Sequence, residues 1–195
     1  FVPAFHAVDI GFDRSMIGSY GHDDRVCAYP ALQALLHCKT PRRTAITVLA
    51  DKEEIGSVGN TGLDSQFLSY FVEDLAEAEG LKARHVLSNS QCLSADVTAA
   101  FDPNYASAYD LQTACLISRG VGVMKYTGAR GKSGSSEASA EFTAKVRQLF
   151  DDNDVQGQMG ELGRVDLGGG GTVALYVAGM NVDVIDIGVP VLSMH

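Results

Sequence analysis

Thr44-Ala45-Ile46-Thr47-Val48-Leu49-Ala50-Asp51-Lys52-Glu53-Glu54-Ile55-Gly56-Ser57 runs from a compact β-branched stretch straight into a pair of carboxylates. A short apolar run over 44–50 reads as a buried strand, and open α/β sheets bind ligands just beyond the carboxyl ends of their strands. Neighbouring side chains at a strand end point to opposite sides, so one carboxylate can hold a metal while the other moves protons. The competing reading of Glu53 and Glu54 is a solvated turn, and the apolar residues before them leave both readings open.

Outward from this stretch, strands and helices alternate. Val121–Tyr126 and Val182–Ile187 are further compact strand candidates. Leu63–Glu79 carries Phe67, Leu68, Phe71, Val72 and Leu75 at helical spacing, and Glu137–Phe150 repeats the pattern through Phe142, Val146 and Leu149. A helix is expected from about Asp24 to Cys38, bent or restarted at Pro30, and a short one near Val173–Gly179 after a run of glycines. The alternation predicts an α/β fold: a mixed, largely parallel sheet sandwiched by helices. Residues 1–20 show no clear period and are expected to lie outside this core. Gly131–Ser136 and the glycine run are the low-complexity stretches.

The 195 residues are 46% hydrophobic and 20% charged, which suits one globular core and excludes a disordered chain. A net charge of −9 argues against nucleic acid or an anionic membrane as a partner, since each needs a concentrated basic face. The basic cluster Lys39–Arg43 reads as a solvated loop. No apolar run approaches the roughly 20 residues of a membrane span. Cys27, Cys38, Cys92 and Cys115 lie in apolar segments without C-x-x-C spacing, so buried thiols and a cytoplasmic, reducing compartment are expected. The chain starts without Met and stops on His195 directly after an apolar strand, which suggests a piece of a longer protein.

Several acidic residues sit at element ends. Asp23 directly precedes a helix and could simply cap it. Asp96 lies in a short apolar stretch, where a charge is costly unless paired or metal-bound. His195 closes an apolar strand, where a satisfied core histidine is the plain alternative. Together with Glu53 and Glu54, these residues form the inventory of a hydrolytic two-metal site. Lys125 ends a strand and could be merely solvated. The run Gly168–Thr172 could wrap a substrate backbone through Gly170, with Thr172 and the following helix N-terminus offering donors; it lacks the Gly-Lys-Ser/Thr ending of a P-loop.

Six motifs then occur in one order: Gly-His-Asp-Asp-Arg-Val-Cys-Ala-Tyr-Pro-Ala-Leu at 21–32, Asp-Lys-Glu-Glu-Ile-Gly-Ser at 51–57, Ser-Ala-Asp-Val at 94–97, Lys-Tyr-Thr-Gly-Ala-Arg-Gly-Lys-Ser-Gly at 125–134, Gly-Gly-Gly-Gly-Thr at 168–172 and Ser-Met-His at 193–195. In these the chain resembles the aspartyl aminopeptidase family of two-zinc metallopeptidases, most closely its bacterial branch, over nearly its whole length. The resemblance implies a zinc-peptidase fold in which Asp23 bridges two zinc ions, with Mn or Co as alternatives, and is joined to Asp24 by a cis peptide bond. It implies Glu53 as general base, Glu54 as a ligand of one metal, and Asp96 and His195 as terminal ligands, one on each. Lys125 matches a lysine that faces an acidic substrate side chain, so Asp and Glu are candidate first residues of the peptide.

The resemblance further implies that residues 1–20 return from an inserted dimerisation domain, and that 21–195 is a catalytic domain lacking its N-terminal part and C-terminal tail. The family's fifth ligand, a His before the bridging Asp, has no counterpart here, and His22 would point the other way in an extended segment. Asp102 stands where some relatives carry a His that reaches into a neighbouring subunit. Homo-oligomers built from dimers, up to dodecamers, are the family's assemblies. Two functions therefore stand as expectations: an aminopeptidase acting on peptides, or a catalytically incomplete relative with a scaffold or binding role.

Overall fold

The computed structural model describes residues 1–130 and 133–195. Gly131 and Lys132, which belong to the predicted Gly131–Ser136 stretch, lie outside the described residues. In chain order the elements are β1 (Val8–Ile10), β2 (Met16–Gly18), α1 (His22–His37), a 3-10 turn at Glu53–Ile55, α2 (Phe67–Ala78), α3 (Ala83–Ser88), β3 (Gln91–Ala95) and β4 (Thr98–Ala99). A second 3-10 segment at Pro103–Ala108 leads to β5 (Val121–Met124), β6 (Tyr126–Ala129), β7 (Ser133–Glu137), α4 (Ala140–Asp152), β8 (Gly157–Met159), β9 (Gly169–Gly170), α5 (Ala174–Gly179), β10 (Asp183–Gly188) and β11 (Pro190–Val191).

The core is a four-stranded sheet in the order β3-β10-β5-β8. β10 runs parallel to β3 and antiparallel to β5, which is parallel to β8. Successive residues of a strand face opposite sides, and β10 uses both. Ile185 packs with Val123, Ala138, Phe142 and Val146 under α4, whereas Val184 packs with Ala174 and Val177 of α5. The sheet is thus covered by a helix on each face, as the sequence predicts. α4 starts where Ser139 accepts a hydrogen bond from the Phe142 amide at 3.1 Å, a side-chain N-cap that fixes the register of its apolar stripe. Truncating Phe142, 5% exposed, to Ala would cost about 3–5 kcal/mol, as large core deletions do.

Three expectations are corrected. The described strands form several small sheets, partly parallel, in place of one largely parallel sheet: besides the core there is the β1-β2 hairpin, a parallel β4-β11 pair and an antiparallel β7-β6-β9 sheet. Residues 44–50 form no strand among the described residues, and Ile46, Val48 and Leu49 are exposed. β-Branched composition suits a pleated surface but makes no strand without a hydrogen-bonding neighbour, and only Asp51 finds one, in a single bridge to Gly62. On α2, Val72 and Ala76 are buried while Phe67, Phe71 and Leu75 stay exposed, so the predicted apolar stripe is covered only in part.

Cys27 and Cys115 are buried and Cys92 is half-buried, but Cys38 is exposed, since it is the C-cap residue of α1 at the edge of the basic loop. Among the described residues no helix is long and apolar enough to cross a membrane.

Candidate metal centre

The predicted acidic residues come from three parts of the chain and meet at one end of the core sheet. Asp96 directly follows β3, and His195 follows β11, which continues from β10; β3 and β10 are parallel, so both residues lie beyond strand carboxyl ends. Gly188, the last residue of β10, permits this approach. A Cβ there would lie 1.4 Å from the Asp96 carbonyl oxygen. The Asp96 side chain is itself fixed, its Oδ1 accepting from the Val97 amide at 2.7 Å.

Asp23 and Asp24 sit at the start of α1 with non-helical backbone angles, after Gly21 at φ 70, so the regular helix begins beyond them. The peptide bond joining them is cis, as the resemblance implies. Glu53 and Glu54 occupy the 3-10 turn entered through Lys52 at φ 62. Consecutive residues of such a turn project about 120° apart, so the two carboxylates diverge without the strand that the sequence predicts for them. The Tyr176 hydroxyl donates to the Gly56 carbonyl at 2.9 Å and ties this turn to α5.

Two clusters share Asp23. In the first, His195 Nε2 lies 3.1 Å from Glu54 Oε2 and 3.7 Å from Asp23 Oδ2. In the second, ligand atoms of Asp23, Asp24 and Asp96 lie within 4.8 Å of one another. Burial, then the charges of Asp24, Glu53 and Asp23, push Asp96 up to about 8. Burial is also the main cause that raises Asp24. Glu53 is raised by burial and then by Glu54, Asp23 and Asp24, with His195 pulling the other way. A carboxylate whose pKa is raised holds a proton more readily than a free one, which suits a group that takes a proton and passes it on.

This donor set fits zinc. One imidazole nitrogen and carboxylate oxygens converge as they do around that ion, and Asp24 Oδ1 is buried with no hydrogen-bond partner among the described residues. A group of acids at this spacing is costly without a cation to offset their repulsion.

A cleft of about 320 Å³ opens beside the metal-ligand candidates, lined by Glu53, Glu54, Ser57, Gly171, Thr172 and Tyr176 among others. Gly170 pairs with Gly128 in β9, one residue from the cleft wall. The helix after Thr172 is only six residues long. Lys125, between β5 and β6, is ion-paired with Glu137 at the end of β7, and it is not among the residues lining the cleft. Asp24, Ser57 and Tyr176 join the site without being among the residues that the sequence marks. Asp24 carries a signal, as an acid adjacent to Asp23; for Ser57 and Tyr176 only the folded contacts reveal it.

The family model for the aminopeptidase I zinc metalloproteases (M18) matches residues 1–195. A "probable M18 family aminopeptidase 1" of Clostridium acetobutylicum is 47% identical over 198 residues, covering all of this chain and 43% of that protein. The crystal structure of an M18 family aminopeptidase from Thermotoga maritima superposes with a TM-score of 0.92 at 45% identity, covering all of this chain and 44% of that one. That of aminopeptidase I from Clostridium acetobutylicum gives 0.88 at 47% identity, over 97% of this chain and 41% of the other. The chain thus spans less than half the length of these relatives. It belongs to the M18 family of aminopeptidase I zinc metalloproteases.

Proposed function

We propose that the protein of which this chain forms the catalytic part is a metal-dependent aminopeptidase that removes the N-terminal residue of peptides. The observation that carries this reading is the convergence of Glu54, His195 and Asp23 beside a cleft that also exposes Glu53. Asp23 would hold two zinc ions, Glu54 and His195 would complete one side, and Asp96, with Asp24 next to it, would serve the other. Bound there, zinc supplies Lewis-acid polarisation of the scissile carbonyl and makes a water acidic enough to be deprotonated at neutral pH.

Glu53 takes the proton from the attacking water and delivers it to the leaving amine; its raised pKa supports both transfers. The Gly171–Thr172 wall borders the peptide backbone, where glycine permits close approach. Acidic first residues are the finer proposal, and it requires Lys125 to exchange Glu137 for a substrate carboxylate. We further assign residues 1–20, which form the β1-β2 hairpin, to the return from a dimerisation insert, and 21–195 to the catalytic domain of a cytoplasmic homo-oligomer.

A catalytically incomplete relative is the second reading. It is favoured by the all-carboxylate composition of the Asp23–Asp24–Asp96 cluster, which has no histidine among the described residues. Turnover of aminoacyl 4-nitroanilides by the full-length protein separates the two. The proposed function expects activity that is lost to a chelator and restored by zinc. Absence of turnover in the zinc-loaded protein would establish the second reading.

A further inference from the structure

The turn that carries Glu53 is fastened unevenly. On one flank it is held by its own stretch of sequence: the Ser57 amide donates to the Lys52 carbonyl at 2.8 Å, the Asp64 amide to the Ser57 carbonyl at 3.1 Å, and the Thr61 hydroxyl to Asp51 Oδ2 at 2.8 Å. Ser57 is 2% exposed, and a Cβ on Gly62 would lie 2.0 Å from its carbonyl oxygen, so this side is packed tight. On the other flank a Cβ on Gly56 would meet nothing within 4 Å among the described residues. There the Gly56 carbonyl accepts from the Tyr176 hydroxyl at 2.9 Å, from a residue 120 positions further along the chain. Among the described residues this is the one backbone hydrogen bond of 52–57 whose partner lies outside 51–64.

The turn needs such an anchor. Lys52 and Ser57 bracket it at φ 62 and φ 60, a left-handed conformation that residues with side chains keep only where their surroundings fix it. Glu54 is held through its side chain, 3.1 Å from His195. The Glu53 carboxylate makes no hydrogen bond among the described residues, so its aim depends on the backbone beneath it. Gly56 connects that backbone to the tyrosine: its amide donates to the Glu53 carbonyl at 2.9 Å while its carbonyl takes the phenol. Tyr176 stands on α5, whose Ala174 and Val177 are buried against Val184 of β10. The phenol therefore joins the core sheet to the Glu53 turn, beside the cleft that both line. We propose that Tyr176 is a positioning residue that fixes the Glu53 turn relative to α5 and so aims the Glu53 carboxylate into the cleft. Its weight in catalysis rests on the aminopeptidase reading; the anchoring of the turn does not.

The test uses the full-length, zinc-loaded protein with Tyr176→Phe, which removes the hydroxyl and keeps the ring, in the wild-type and Glu53→Ala backgrounds. Amide hydrogen exchange is followed over 52–57, and zinc content, kcat and KM are measured, the last two on aminoacyl 4-nitroanilides. Tyr176→Phe should speed exchange in 52–57 about fivefold, the scale of one hydrogen bond, while the α4 and β10 amides keep their protection. It should lower kcat about tenfold with KM within about threefold and zinc content unchanged, because a misaimed base slows the chemistry without loosening the bound peptide. In the Glu53→Ala background the same substitution should change kcat by less than about twofold, since the group it aims is gone. Unchanged exchange in 52–57, or a kcat loss as large without Glu53 as with it, would overturn the proposal. A rise in KM alone would make the hydroxyl a substrate ligand, and full activity would leave the ring as the part that matters; either result would also overturn it. Absence of turnover in the wild type would defeat the aminopeptidase reading, and the exchange result would still decide whether Tyr176 anchors the turn.

Discussion

The two carboxylate clusters that share Asp23 differ in donors and in contact with water. Glu54 and His195 are exposed and bring a mixed oxygen and nitrogen set to one side; Asp24 and Asp96 are half-buried and bring oxygen alone to the other. Burial together with mutual repulsion raises both of the half-buried acids, Asp24 and Asp96. The contrast teaches that a cation does different work on the two sides. It organises the exposed cluster, whereas in the buried one it also offsets a charge that the fold otherwise disfavours.

The most severe way to break the comparison is to remove what the clusters share. Asp23→Ala is expected to empty both sides of zinc and to lower turnover at least about a hundredfold, the scale of losing a principal electrostatic group. Metal analysis checks this, and full zinc occupancy in the variant would count against a bridging role. Gly188→Ala attacks the buried side alone without altering a ligand. Its new Cβ would meet the Asp96 carbonyl at 1.4 Å, so the strand must shift. We expect one zinc fewer per chain and a stability loss of about 2 kcal/mol or more, the range of strain in a packed core; thermal melting and metal content report the two effects.

A smaller effect sharpens the comparison through pH. Asp96 has its folded-state pKa raised to about 8, above the ordinary 3.8, so the folded chain binds the extra proton between those values. Stability of the metal-free protein from this group is therefore full below about pH 4 and is lost as pH rises through about 8. Asp24 and Glu53, also raised, act in the same direction. Melting of the chelated protein should accordingly fall between pH 6 and 8, and zinc should flatten the slope; a metal-free melting temperature that rises over that interval would remove the basis for distinguishing the clusters.

How far the sequence discloses the molecule follows from what kind of interaction makes each part. β10 and α4 are legible because their apolar spacing is satisfied within the chain, by Ile185 against Phe142 and Val146. The segment 44–50 has equally strong β character but no neighbouring strand among the described residues, and pairing is not encoded in composition. The antiparallel pairing of β6 with β7 and β9 hides in Gly- and Ser-rich sequence that reads as loop.

At the site, the acids at element ends can be selected one by one. That Glu54 and His195 come within 3.1 Å is a consequence of tertiary folding, and the motifs anticipate it only through family resemblance. Asp186 is not legible in the sequence, because it sits inside an apolar strand and its hydrogen-bond partner Ser94 comes alongside only when β3 pairs with β10.

The central claim is that Glu53 moves the proton and does not hold the metal. The direct measurement is turnover and zinc content of Glu53→Ala in the full-length protein, side by side with wild type. The account predicts that zinc occupancy stays at the wild-type level while kcat falls by about a hundredfold or more, the scale of losing a general base. Undiminished turnover at full zinc occupancy would contradict it.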